Sequence, residues 1–492
     1  MMTHLLRKFR FSLCIALIVG LVALSVDTGR AQAPAEEELP MEFPIEPDSP
    51  GEVEGEAEAS AVPDFDKMSA REFFEMIDFG PSYLEMFVDG QPLEEGEQEA
   101  VIRALTRIRR LQPHRITRWL KLETPWQSLS ETPGKSRLDI FLLTGIVEAV
   151  REISVPKEAV ESVGLATYYE VDVLLDTPEG NAQGTIVVEH IPQPWKVVLN
   201  PEKNVVGESI SCPGIFLKSY ETEAGEPGYL FASPKISWHP DQPNSALGIT
   251  PAKIRLAEQG MDIGELSHIQ DRVKFEGLER EPFYQMMAAV ARVPDDQQTP
   301  TAQASVSQLL TKPKDGLMVD PEAYRAEFLR LTGVCRRITR IEIDDEDVQE
   351  RLGIDHYYEL SIFVPISAPI VSQRAGDEST RKSFDHDYPV LVCVPTLPKG
   401  LSVGEQMHES VAVTGSFFKL WAYRTPFMSR EDFTRRQISP LFIAAKVERY
   451  SPPSNPQTNQ FVMALLVILG LIVGLGIAFG VLFSRKPSSR RR

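Results

Sequence analysis

Cysteine is scarce in this 492-residue chain: Cys14 sits in an N-terminal apolar stretch, and only Cys212, Cys335 and Cys393 follow it. Three thiols cannot all pair, which excludes a disulfide-framework fold. Recognisable catalytic motifs are also missing: there is no glycine-rich phosphate loop, Gly-x-Ser-x-Gly elbow, His-Glu-x-x-His or Cys-x-x-Cys. No cofactor is expected. Positive charge is the third deficit, with 51 Lys and Arg against 70 Asp and Glu and a net charge of −19. Such a field repels phosphate backbones and argues against nucleic acid, while favouring cations and basic proteins.

The two ends differ sharply from the rest. Arg7, Lys8 and Arg10 precede an apolar run and then Ala31-Gln32-Ala33, the three-part pattern of a secretory signal over 1–33. Residues 34–66 are acidic and proline-rich without Lys or Arg, and read as a disordered leader. At the other end, 461–483 carries no charge and is long enough to span a bilayer. It follows a proline-rich stalk at 451–460 and precedes a basic tail at 484–492, which the positive-inside rule places in the cytoplasm. The expectation is a single-pass cell-membrane protein with an extracytoplasmic N-terminal ectodomain. Gly470 and Gly474, and Gly476 and Gly480, are spaced for close helix packing, so a homodimer through the membrane helix is conceivable.

Sliding the chain on itself reveals an internal duplication. Leu143-Thr144-Gly145 matches Leu331-Thr332-Gly333, Tyr168-Tyr169-Glu170 matches Tyr357-Tyr358-Glu359, and Gly214, Phe216 and Lys218 match Gly415, Phe417 and Lys419. Gly207-Glu208 matches Gly404-Glu405, and Ser233-Pro234 matches Ser439-Pro440. The offset grows steadily, as short insertions in the second copy would produce. Upstream, 93–108 aligns with 278–293 as a pair of amphipathic helices. Two repeats are therefore expected, 68–240 and 250–452, each a helical segment followed by a β-domain at 141–240 or 329–450.

Within the β-domains the apolar period falls to two, as in Tyr169, Val171, Val173 and Leu175. Five strands with one long connection resemble the pattern of a small closed OB-like barrel; an open antiparallel sheet or half a sandwich is the alternative. The expected fold is α+β to mainly β: two tandem OB-like barrels, each behind a short helical segment, and one C-terminal transmembrane helix.

Lys218 with Tyr220, and Lys419 with Trp421, recur at matching strand positions. A cation beside an aromatic can line a sugar or peptide surface; the structural alternative is a lysine closing the barrel end against Glu170 or Glu359. Cys335 and Cys393 fall in one predicted domain and could bridge, with buried free thiols as the alternative. Asp385-His386-Asp387 reads as a solvated loop rather than a metal site. The function expected is a membrane-anchored binding or scaffolding protein of the cell envelope, partnered by an envelope protein or polysaccharide and not by nucleic acid. The rival is a hydrolase or other enzyme with a site between the repeats.

Overall fold

The computed structural model describes residues 68–199, 207–374, 377–430 and 433–451, with Ile472 and Gly474. The expected signal, leader, stalk, basic tail and nearly all of 461–483, including Gly470, Gly476 and Gly480, lie outside the described residues.

The first unit contains β1 (Leu120–Lys121), β2 (Ile140–Ser154), β3 (Thr167–Thr177), β4 (Gly180–Val188), β5 (Ser209–Glu221), β6 (Pro227–Ser233) and β7 (Ser237–Trp238). They pair in the order β1-β2-β3-β4-β6-β5-β7, with a further β2–β5 pairing that folds the sheet back on itself. The second unit holds β8 (Phe328–Glu342), β9 (His356–Pro365), a separate hairpin of β10 (Ile370–Arg374) and β11 (Asp377–Phe384), then β12 (Asp387–Val394), β13 (Glu409–Tyr423), β14 (Gln437–Ile443) and β15 (Val447–Arg449). Its order is β14-β12-β9-β8-β13-β15, with a further β13–β14 pairing. The β4–β6 and β12–β14 pairs are parallel and the other long-strand pairs antiparallel.

Register makes the two units pseudo-symmetric. Ile146 faces Leu174 and Val334 faces Phe363, with Gly145 and Gly333 each one residue before. A Cβ on either glycine would lie 2.3 Å from Leu174 O or 2.4 Å from Phe363 O, so both positions demand the missing side chain. Bulges fall between Val147 and Ala149 and between Cys335 and Arg337, and again between Phe216 and Lys218 and between Phe417 and Lys419. Short helices α3 (Lys157–Val163) and α6 (Glu346–Leu352) link the first two long strands of each unit. Each ends on a left-handed glycine, Gly164 at φ 64° and Gly353 at φ 71°, and Asp345 caps α6 through its side chain.

A helical segment covers part of the outer face of each sheet. Ahead of β1, α1 (Ala70–Met76) starts on a Ser69–Glu72 capping box, and α2 (Gln98–Ile108) packs Val101, Leu105 and Ile108 with Tyr168, Val187, Leu217 and Leu230. In the second unit α4 (Pro251–Glu258) and α5 (Arg280–Arg292) play this part, Phe283, Met287 and Val290 joining Tyr357, Cys393, Phe418 and Leu441. That cluster continues through Met261, Trp238 and Trp195 into the interior of the first sheet, so the repeats share one core. The second sheet's interior is a separate cluster around Leu331, Ile362, Val392 and Phe417.

Two parts of the expected fold are corrected. In place of two simple closed barrels there are two pseudo-symmetric mixed sheets resembling OB-fold domains, extended by β1 and β7 or by β15, with an inserted hairpin in the second. And among the described residues no helix is long and apolar enough to cross a membrane. The predicted anchor, and the dimer drawn through its glycines, receive no support.

Candidate functional site: two latches and one open sheet face

The recurring lysines turn inward. The bulge after Phe216 swings Lys218 onto the face covered by the helical segment, where its ammonium meets both carboxylate oxygens of Glu97 at 2.7 and 2.8 Å, with no side-chain exposure. After the equivalent bulge Lys419 meets Glu279 at 2.6 and 2.7 Å. Each glutamate also accepts two backbone N–H groups: Val88 and Glu94 for Glu97, Gln270 and Glu276 for Glu279. Burial pulls the Lys419 ammonium below the ordinary lysine range, with Glu279 opposing the shift. Neither lysine reaches Glu170 or Glu359, the partners anticipated for a structural role.

A second pair completes each latch. Asp89 accepts from Ser219 N and pairs with Arg137 at 2.5 Å, while Arg137 Nε donates to Leu217 O. Asp271 likewise accepts from Leu420 N and pairs with Arg325, which donates to Phe418 O. Beside each latch the helical segment runs briefly alongside the strand, through the Gly90–Tyr220 and Val273–Trp421 bridges. These residues share a pattern, Asp-x4-Glu-x2-Glu, at Asp89, Glu94 and Glu97 and at Asp271, Glu276 and Glu279. Sequence reasoning missed it because the helices were aligned three residues out of register; the latch sets the offset at 182, consistent with offsets that only grow along the chain.

The aromatic neighbours diverge. Tyr220 lies over Gly228 with its hydroxyl 3.4 Å from Thr185, whereas Trp421 is buried and stacked on Tyr423 at 4.7 Å. Cys335 and Cys393 are buried free thiols. They sit on strands separated by β9, Cys335 in the sheet interior and Cys393 under α5, so the structure does not bring them together. Burial raises the thiols of Cys212 and Cys335 to about 12.

An ion pair also ties the repeats together. Lys235, just after β6, pairs with Glu265 at 3.2 Å and lies 4.0 Å from Glu281 of α5, which Arg351 of α6 holds within the second repeat through two bonds of 2.9 Å. Asp262 is buried here and accepts from Trp238 N and Gly264 N; desolvation lifts its carboxyl to about 6. Hydrogen bonding and charge from Arg351 and Lys235 outweigh burial at Glu281 and bring it down to about 2. These shifted groups are engaged with one another across a packed seam. Among the described residues no cluster of His, Cys, Asp and Glu could hold a metal.

One surface breaks the symmetry. Along β2 the side chains of Leu142, Thr144, Ile146 and Glu148 are exposed and alternate with buried Leu143 and Val147, Leu142 facing Pro213 and Ile146 facing Ser209 and Leu174 across the sheet. Beside them Arg151 bridges Glu170 and Asp172, and Thr185 donates to Asp172 at 3.0 Å. The corresponding row in the second repeat is Arg330, Thr332, Val334 and Arg336. Arg330 donates to Thr414 at 3.2 Å and reaches Glu448 of β15, and the Arg336 guanidinium lies 3.7 Å from the centre of the Phe363 ring. The second copy lays its own arginines across this face; the first has no cation at either place.

No family model matches the chain, and no curated protein matches it. Among solved structures it is similar to the single-stranded DNA binding protein of Thermus aquaticus, at 9% identity, covering 64% of this chain and 93% of that one with a TM-score of 0.14. Fission yeast Pot1 with ssDNA matches at 12% identity, 67% and 88% coverage and a TM-score of 0.15, and the Ifi202 HINa domain with dsDNA at 9% identity, 63% and 96% coverage and 0.11. TM-scores this low carry nothing about ligand. The expected membrane-anchored envelope protein, its cell-membrane location, and its envelope or polysaccharide partners are nonetheless corrected. The described helices offer no span, and the envelope partners were expected only through that anchor.

Proposed function

We propose that this chain is a non-catalytic recognition module in which a latched, jointed pair of OB-like sheets presents the open outer face of β2 and β3 to an extended macromolecular ligand. The observation that carries the reading is the divergence of two otherwise matching copies at one surface: the first presents Leu142, Ile146 and Glu148 where the second has Arg330, Val334 and Arg336, its arginines engaged with Thr414, Glu448 and Phe363. Exposed aliphatic side chains on a sheet face beside ordered polar groups suit partner binding. The inward pairing of both lysines and the engagement of the pKa-shifted seam residues support recognition over catalysis, since acid–base work needs such groups facing a cleft. OB-type sheets use an outer face for oligomeric ligands, which is an analogy of fold only.

The buried thiols make a selective test available. On a Cys14→Ser background, Thr144→Cys and Thr332→Cys variants of the full chain are each labelled with a polarity-sensitive dye and titrated with a short oligothymidylate and with a peptide of alternating leucine and arginine. A saturable emission change at position 144 with one probe, and none at 332, is expected. An equal response at both positions, or a response confined to 332, would contradict the reading.

A further inference from the structure

We infer that the open face of β2 and β3 docks an extended segment of a partner protein that carries alternating apolar and basic side chains. This rests on the recognition reading above and adds the chemistry of the occupant. The second repeat supplies the template. At the places equivalent to Leu142 and Glu148 it has Arg330 and Arg336, and those two cations close the surface, one on Thr414 and Glu448, the other over Phe363 and 3.7 Å from Asp387. The first repeat lacks both cations, and Pro213 faces Leu142 where Thr414 faces Arg330, and Leu174 faces Ile146 where Phe363 faces Val334. Leu142 and Ile146 are 38% and 43% exposed, the half-buried Leu174 lies opposite Ile146, and Glu148 stands in solvent at the far end of the row.

Charge complementarity selects a cationic occupant. The chain's net charge of −19 attracts basic segments at long range and repels a phosphate backbone. Within the row the aliphatic stretch takes apolar side chains, and Glu148 takes a basic one at the place where the second copy has Arg336. A segment in extended form, with side chains alternating between the face and solvent, meets both at strand spacing. Arg151 is already committed to Glu170 and Asp172, so those two carboxylates order the neighbouring surface and leave Glu148 as the principal anchor.

The test grafts the second copy's seal onto the first. Full-length protein and its Leu142→Arg/Glu148→Arg variant are titrated by fluorescence anisotropy with the labelled leucine–arginine peptide, a leucine–glutamate peptide and an oligothymidylate, with thermal melts run alongside. Saturable binding of the leucine–arginine peptide, weakened roughly tenfold or more by the graft with the melt unchanged, is the expected result. Should the grafted chain fold poorly, Glu148→Gln serves instead, and a loss of about threefold is expected from one rim charge. Peptide binding that is saturable but unmoved by the graft or by Glu148→Gln would overturn this face and with it the recognition reading, whereas a wrong occupant alone leaves that reading in place. Preference for the leucine–glutamate peptide or for the oligothymidylate would overturn the occupant. Self-association of the full chain that the graft abolishes would assign the face to a second copy, which also overturns it. No saturable binding of any probe would sink the recognition reading itself.

Discussion

Lys419 and Glu279 show how a charged strand residue can be structural. The pair is sealed from water and the carboxylate also serves two backbone N–H groups, so removing the ammonium strands a buried charge. Lys419→Met should destabilise the protein by about 3–5 kcal/mol in denaturant unfolding, and Lys218→Met by a similar amount. A loss under about 1 kcal/mol would show that water or another cation reaches the glutamate. Tyr168 and Tyr357 make the opposite case: their hydroxyls are buried without a hydrogen-bond partner in both copies. Replacing either with Phe should leave stability unchanged or raise it by about 1 kcal/mol, since an unsatisfied polar atom is removed at constant shape. A loss above that size would reveal a partner for the hydroxyl. That the lysines recur was legible in the sequence; that they face inward was not. A single bulge residue reverses the side of the strand, and no periodicity reports a bulge.

Among the elements, the long strands were the most legible, because alternation and the paired glycines survive in both copies. The matching Leu-Thr-Gly motifs lie within the strands Ile140–Ser154 and Phe328–Glu342, and the matching Tyr-Tyr-Glu motifs within the strands that pair with them. The Ser-Pro match is not a structural equivalence: Ser233 ends β6 while Ser439 and Pro440 lie inside β14, where pairing with Lys419 makes Leu441 the counterpart of Leu230. Hairpin β10–β11 is an insertion with no counterpart to flag it. Gly145→Ala tests the shared register, because the added Cβ meets a backbone carbonyl that cannot move without the strand. A loss of about 1–3 kcal/mol is expected there and at Gly333→Ala. If only one of the two is sensitive, the equivalence of the copies at this contact fails.

At the scale of the whole molecule, the seam between repeats gives stability a pH dependence with two opposed parts. Glu281 has its carboxyl lowered from 4.5 to about 2, so its contribution is complete above pH 4.5 and is lost as pH falls towards 2. Asp262 is raised from 3.8 to about 6, so the stability tied to its protonated form is complete below pH 3.8 and is lost as pH rises through 6. Asp262→Asn keeps an oxygen for Trp238 N and Gly264 N and should flatten the decline between pH 4 and 6 in thermal melts. Glu281→Gln should cost at most about 2–3 kcal/mol at pH 7 and nothing near pH 2, the partial exposure of the pair reducing the figure. A profile unchanged in both variants would mean that the seam does not hold the repeats together.

The duplication itself could be read from ordered matches along the chain, but the asymmetry that matters could not, because Leu142 and Arg330 look like ordinary divergence until both are placed on the same strand face. Hydrogen–deuterium exchange of the full chain, with and without the leucine–arginine peptide, examines that asymmetry directly. Protection on binding is expected across residues 142–148 and 170–174, with none at 330–336. Protection of the second row, or of neither, would contradict the assignment of the open face as the site of recognition.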